Sequence, residues 1–154
     1  MTVINNYKDP TDHIIEQIRT TIKKLTFKLQ AKIKNDKLTG QVLNVRTGRL
    51  RRSINAEFQE LGDGLIQGLV GTNVPYAKIH EFGFNGEQQV KEYMQKRKQV
   101  FGRMLKDPIQ VTIRAHVRKI NLPERSFMRS ALEELRPEII EELQAATKRG
   151  LSGS

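Results

Sequence analysis

The apolar positions of this chain change period as it runs. From Ile15 they recur as Ile15, Ile18, Ile22, Leu25, Leu29 and Ile33, in steps of three and four, the period of a helix with one buried stripe. Asp9-Pro10-Thr11-Asp12 supplies its start signal, with Thr11 or Asp12 as the cap, and Asn35-Asp36-Lys37 with Thr39-Gly40 marks its end. Packing within the subunit is preferred to a coiled coil, because a sheet elsewhere in the chain needs covering. Two later stretches switch to a period of two. Ile54, Ala56 and Phe58 alternate with Asn55, Glu57 and Gln59, and Leu61-Gly62-Asp63-Gly64 turns the chain into apolar Leu65 to Val70, so a β-hairpin is expected over about 54–70. Ile109, Val111, Ile113, Ala115 and Val117 then alternate with Gln110, Thr112, Arg114, His116 and Arg118. That is the plainest pattern in the chain and predicts a long strand over about 109–118 with one buried face.

Shorter elements fill the gaps. Residues 41–45 read as a connector or a marginal strand, and 47–54 as a helical turn with Thr47 as a possible cap and Leu50 and Ile54 one turn apart. Pro75 opens a short helix with Tyr76, Ile79 and Phe82 on one side, ended by Gly83. Val90, Met94, Phe101, Met104 and Leu105 lie near helical spacing, interrupted by Gly102, so Glu87 to Leu105 is expected to be a helical excursion from the sheet. Asn121-Leu122-Pro123 breaks the long strand, and Glu124 to Leu132 reads as a helix with Phe127, Met128, Ala131 and Leu132 inward. Pro137 either kinks that helix or starts another, whose stripe is Ile139, Ile140, Leu143 and Ala146 and whose end is Gly150. The expected fold is α+β. A small antiparallel sheet is packed by the long N-terminal helix and the C-terminal helices. The buried face of the 109–118 strand holds the hairpin and the first helix in place, and its outer face, with Arg114, His116 and Arg118, stays free for a neighbour.

Length and composition narrow this frame. The 154 residues suit one domain, 1–154, with 1–10 and 151–154 as flexible ends. Without cysteine there is no disulfide and no thiolate metal site, and no apolar run approaches the ~18 residues of a membrane span. Neither a secretory signal nor a membrane partner is expected. Net charge is +10, from 27 basic and 17 acidic residues, and it is unevenly placed. Residues 11–37, 46–52 and 85–106 each sum to +4, whereas Glu133 to Glu142 holds five glutamates against Arg136. Such clusters serve either as solvated faces or as contacts with polyanions and acidic partners. An acidic patch opposed to basic ones also suits head-to-tail self-association.

Catalytic chemistry finds no foothold in the spacing. His80-Glu81 would need a second histidine at 84 to form a zinc-protease helix, and that position is Phe84. His13 and His116 lack neighbours at ligand spacing, and the glycines at 62, 64, 68 and 71 fit turns and strand corners better than a phosphate loop. No cofactor and no catalytic residue is assigned, and the chain is not expected to be an enzyme. The arginine-rich turn and Lys96-Arg97-Lys98 have the electrostatic footprint of phosphate contact. Tyr76, Phe82 and Phe84 are not interleaved with the basic runs as a stacking platform requires, so non-specific contact with DNA is the most that this supports.

Four pieces, in order, carry a family resemblance: Thr47-Gly48-Arg49-Leu50-Arg51-Arg52-Ser53-Ile54; Gly71-Thr72-Asn73-Val74-Pro75-Tyr76-Ala77-Lys78-Ile79-His80-Glu81-Phe82-Gly83; the strand with its corner at Asn121-Leu122-Pro123; and Glu124-Arg125-Ser126-Phe127-Met128-Arg129-Ser130-Ala131-Leu132. Together they resemble the tail-completion and neck proteins of tailed bacteriophages, the lambda Z-like and Mu G-like virion morphogenesis proteins. Gly48, Leu50, Tyr76, Glu81, Gly83, Pro123 and Phe127 are the positions that match the family pattern, and Ser126 stands where that pattern commonly has proline. The resemblance implies a structural virion subunit that assembles as a homo-oligomeric ring, expected to be hexameric. Such a ring finishes the tail, joins it to the head through other neck and tail proteins, and is assembled in the host cytoplasm. Arg49, Arg51, Arg52, Lys96, Arg97, Lys98, Arg114 and Arg118 are then candidates for subunit interfaces or for a surface facing DNA in the channel. The alternatives are a tail terminator capping the tail tube, a small basic nucleic-acid-binding protein, and a plain adaptor or toxin-like module.

Overall fold

The computed structural model describes residues 10–62 and 64–152. The chain ends expected to be loose, at 1–9 and 153–154, and Asp63 of the expected hairpin turn lie outside them. Two compact units are present: one formed by residues up to Phe82 together with those from Glu124 onward, the other by Gly83–Pro123. The architecture is α+β.

In the first unit α1, Pro10–Lys32, is the long amphipathic helix that the three-and-four spacing predicts. It starts ahead of the expected caps, so that Thr11 and Asp12 lie in its first turn. The helix widens into π-type turns over Ile33–Gln41 and leaves helical geometry at Leu38, Thr39 and Gly40, where the stop signal stands. α2, Arg49–Ser53, follows, and then the expected hairpin, β1 (Asn55–Glu60) and β2 (Ile66–Gly71), paired antiparallel from Asn55 with Gly71 to Glu60 with Ile66. α3, Pro75–Phe82, and α4, Met128–Ser152, complete the unit.

α1 and α4 pack antiparallel along their lengths. Ile14 lies against Gly150 near one end, and Lys24 pairs with Glu142, Lys28 with Glu138, and Lys32 and Lys37 with Glu134 toward the other. The core gathers Ile33, Leu38, Leu43, Ile54, Val74, Ala77, Phe127 and Ala131, with Phe127 and Ile54 wholly enclosed. Burial of this kind is the main favourable term in folding, at roughly 25 cal/mol per Å² of apolar surface.

Several sequence expectations are corrected here. The C-terminal helix starts at Met128 rather than near Glu124, and of the two outcomes expected at Pro137 a new helix is excluded, since α4 continues through it, held on both sides of the proline by its ion pairs to α1 and by buried Leu135 and Ala146. Leu132 and Ile140 are exposed. The buried apolar positions are Ala131, Leu135 and Ala146, with Ile139 and Leu143 half-buried between them. Gly150 does not end the helix. It lies inside α4, buried against α1, where a Cβ would approach the Ile14 Cα to 2.6 Å. In α3 the buried positions are Ala77 and Glu81, one turn apart, while Tyr76 and Phe82 face outward.

The second unit departs most from expectation. Residues 87–105 are not helical: β3 (Phe84–Val90) and β4 (Tyr93–Val100) lead through Phe101-Gly102 into β5 (Arg103–Ile113), and β6 (His116–Leu122) follows. β3 pairs β6 from Phe84 with Leu122 to Val90 with His116, and β4 pairs β5 from Tyr93 with Ile113. Two residues on each strand separate the two ladders, so one register runs through both, up to an irregularity between Arg97 and Gln99. The unit is one long hairpin. The expected 109–118 strand is therefore split at Arg114-Ala115, and Ile109 and Val117 are 45% and 56% exposed rather than buried. Nor does it pair with the 54–70 hairpin, since the β1-β2 sheet contains those two strands alone. Its alternation matches a partner segment brought in by long-range pairing, which a short-window helical period cannot reveal.

The α1-α4 contact yields a test with a definite sign. In an open helix, Gly150→Ala would raise stability by about 1 kcal/mol. Here the added methyl meets Ile14 backbone and side chain, at 2.6 and 2.8 Å, and the substitution is expected to lower stability by roughly 1–3 kcal/mol in urea melts. Unchanged or higher stability would contradict the close approach.

Candidate functional site: an arginine-lined cleft and its carboxylate latch

The cleft grows out of the sequence Arg46-Thr47-Gly48-Arg49-Leu50-Arg51-Arg52. Gly48 takes a left-handed conformation, φ 68°, and turns the chain into the five-residue α2; a non-glycine residue there would carry strain. The expected Thr47 cap is weak, since its hydroxyl accepts the Arg49 N–H at 3.4 Å. Ser53 fixes the far end of α2, donating to the Leu50 carbonyl at 2.8 Å and sharing a 2.6 Å hydrogen bond with Thr72. Gln30 of α1 donates to the Ile54 carbonyl at 2.9 Å. With Leu50 packed on the core and Ile54 buried in it, the arginines are left on the outside.

They border a cleft of about 480 Å³, whose apolar part is Leu38, Leu43, Val45, Leu50 and Tyr76 and whose charged part is Arg46, Arg49, Arg51 and Arg125, with His80. A shallower hollow shares Arg46 and Arg51 and adds Lys34 and Arg52. Among the described residues, no carboxylate lines either hollow. Arg51 donates to the Asn35 side chain at 3.0 Å, while Arg46, Arg49, Arg52 and Arg125 enter no ion pair among the described residues. The surface is thus pre-formed, apolar at its base and uncompensated in charge, suited to an anionic partner group that brings an apolar anchor with it.

The lysines of α1 are in the opposite state. Glu134, Glu138 and Glu142 of the acidic run are held by Lys32, Lys37, Lys28 and Lys24 of the same chain, and Glu133 pairs with Arg136. The hydrogen bond from Lys37, and then that from Lys32, hold the Glu134 carboxyl below its ordinary range. Most of the acidic run that the sequence offers to a neighbouring subunit is engaged within its own subunit.

Tyr76, His80 and Arg125 reach the cleft because α3 is tied to the start of α4. Glu81 of α3 is buried, and its carboxylate accepts the backbone N–H groups of Phe127 and Met128 at Oε2 and of Arg129 at Oε1, all at 2.9 Å. The Ser126 hydroxyl donates to Oε1 at 2.8 Å. These are the orphan donors of a helix N-terminus, satisfied by a charge from another helix rather than by a local cap. Ser126 therefore adds a hydrogen bond that a proline at this position could not. Arg125 N–H donates to the His80 carbonyl at 2.8 Å, and the Arg129 guanidinium lies 4.9 Å from the centre of the Phe82 ring. The Tyr76 and His80 rings meet edge to face at 5.9 Å. Nothing in the spacing of the sequence announced the latch. The family resemblance marks both of its ends, Glu81 and Phe127, without saying that they meet.

Of the other sequence candidates, Gly83 follows α3 with φ 72°, Pro123 follows β6, and Lys96, Arg97, Lys98, Arg114 and Arg118 all lie exposed in the second unit. The structure thus brings Gly48, Arg49, Leu50, Arg51 and Tyr76 to one cleft and places Arg52 beside it. No group of three or more metal-ligating side chains forms among the described residues, and no helix there is long and apolar enough to cross a membrane.

Burial opposes ionisation of Glu81, but its four hydrogen bonds outweigh that penalty and hold the carboxyl below its ordinary value. A folded-state value below the unfolded one, which is about 4.3, makes the latch stabilising above that pH, and the contribution is lost as pH falls through the folded value. Glu81→Gln is accordingly expected to cost on the order of 2–3 kcal/mol at neutral pH. Urea melts should show the gap to wild type closing below about pH 4; a gap that does not change with pH would refute a charged latch.

Comparison with known proteins adds one finding. No curated protein and no solved structure matches the chain. Residues 2–83, just over half of it, match the family model described as "Bacteriophage HK97-gp10, putative tail-component". That span contains the arginine turn, the hairpin, α3 and Glu81. The chain belongs to the HK97 gp10-like family of phage tail components.

Proposed function

We propose that this tail component is the tail-completion or neck subunit, the structural protein that finishes the tail and joins it to the head, and that it acts as a ring of identical subunits. The supporting observation is the arginine cleft: a pre-formed apolar hollow with uncompensated guanidinium groups, all of whose lining except Arg125 lies within the residues that match the family model. Four arginines around an apolar floor, none of them in an ion pair among the described residues, are well made for a neighbouring chain. A contact between unlike surfaces closes into a ring when its rotation closes; six subunits is the expected number. The work of such a subunit is structural, not enzymatic, and it is done in the virion after assembly in the host.

Replacing Arg49, Arg51 and Arg52 together by Glu is expected to leave the fold intact, since all three side chains lie outside the core. Self-association and, in a phage lacking the wild-type gene, infectious yield should fall by orders of magnitude, with heads and tails accumulating unjoined. Native mass spectrometry of the wild type should give six times the chain mass. Normal phage yield from the triple variant would overturn the role of the cleft, and a monomeric wild-type protein would overturn the ring.

A further inference from the structure

The hairpin formed by residues 83–123 has a composition and exposure that tail joining does not account for. It holds nine basic residues against Glu87, Glu92 and Asp107, so it carries +6 of the chain's net +10. None of the nine enters an ion pair among the described residues, in contrast to Lys24, Lys28 and Lys32 of α1. No residue of the unit is buried. A two-stranded ribbon without a core is marginally stable in water, and its like charges repel one another, so its sequence is not optimised for standing alone.

The tip sharpens the point. Phe101 is 100% exposed and adopts φ 48°, the only non-glycine residue with positive φ among the described residues. A bulky aromatic residue in that conformation is strained, and nothing in the unit covers its ring. Lys96, Arg97 and Lys98 follow one another towards the tip, with Lys98 at the irregularity of the ladder, and Arg103 and Lys106 lie on the return strand. Each strand from Phe84 to Val100 has a contour length of about 55 Å at roughly 3.3 Å per residue.

We propose that this ribbon binds duplex DNA, lying along a groove with its cations on the phosphates and presenting Phe101 to a base step. The major groove admits a two-stranded β-ribbon, and apolar wedges such as phenylalanine insert between base steps in architectural DNA-binding proteins. For this ribbon, which carries nine basic residues against three carboxylates, charge favours a polyanion over a second copy of the chain. That copy is itself +10, and most of its acidic run is held by its own lysines. The contacts are to backbone and stacking surfaces, so the binding is not sequence-specific. This inference concerns an activity of the purified protein and stands apart from the ring and neck reading.

The test uses the full-length protein, a fluorescent mixed-sequence duplex and anisotropy titrations over a range of salt. Two triple variants are compared: K96E/R97E/K98E in the ribbon, and K23E/K148E/R149E on the exposed faces of α1 and α4. Both change net charge by the same amount, so a difference between them reports location. The ribbon variant should bind at least tenfold more weakly than the helix variant, and its log–log salt slope should fall by about three, at roughly 0.9 per phosphate contact. Phe101→Gly relieves the strained backbone and so should not weaken the hairpin. It is expected to reduce affinity about fivefold or more with the slope unchanged. Equal losses in the two triple variants would overturn the proposal, as would a wild type that does not bind DNA at low salt. A ribbon variant that loses self-association while keeping its DNA affinity would also overturn it and reassign the ribbon to a protein contact.

Discussion

A single carboxylate, that of Glu81, ties the first unit together. α4 is its longest helix, and its first turn has no local cap. The N–H groups of Phe127, Met128 and Arg129 converge instead on a charge carried by α3. A charged acceptor at a helix N-terminus is favoured by the macrodipole as well as by each hydrogen bond, and here it is buried, where water cannot replace it. The chain leaves the first unit after Phe82 and rejoins it at Glu124. The latch therefore closes the 83–123 excursion at its root and sets Phe127 and Ala131 into the core, which α1 and the hairpin then cover.

Electrostatics divides the basic residues into two populations with different physics. Lysines of α1 face glutamates of α4 in antiparallel order, and most of these pairs are partly exposed, so each contributes little alone while together they favour one alignment of the two helices. The arginines around the cleft and the cations of the 83–123 hairpin have no such partners. Unpaired like charge is a cost to the free protein that association with an anionic surface removes. The distinction could not be drawn from net charge, which is the same over 11–37, 46–52 and 85–106.

Local pattern was a sound guide wherever local interactions decide conformation. The stripe from Ile15 to Ile33, the alternation and turn of the 54–70 hairpin, and the proline and glycine that bracket α3 each encode their element within about a dozen residues. It misled over 87–118 for an identifiable reason. A hairpin this long pairs residues far apart in sequence, so Val90 answers to His116 and Tyr93 to Ile113. Phe101-Gly102, which reads as an interruption of a helix, is its turn. The Ile109–Val117 alternation is real, but it faces outward on a ribbon rather than into a core.

The sequence by itself determined the α+β class, the amphipathic helices, the first hairpin, the absence of cysteine chemistry and, through its motifs, a phage tail family. These follow from periodicity, turn residues and composition, which are properties of neighbouring positions. Only the tertiary structure decided that Glu81 caps α4, that the acidic run is largely neutralised by α1, that Gly150 is a packing contact, and which cations remain unpaired. Each of those depends on groups from distant parts of the chain meeting at hydrogen-bonding or van der Waals distance, and no local period records such a meeting.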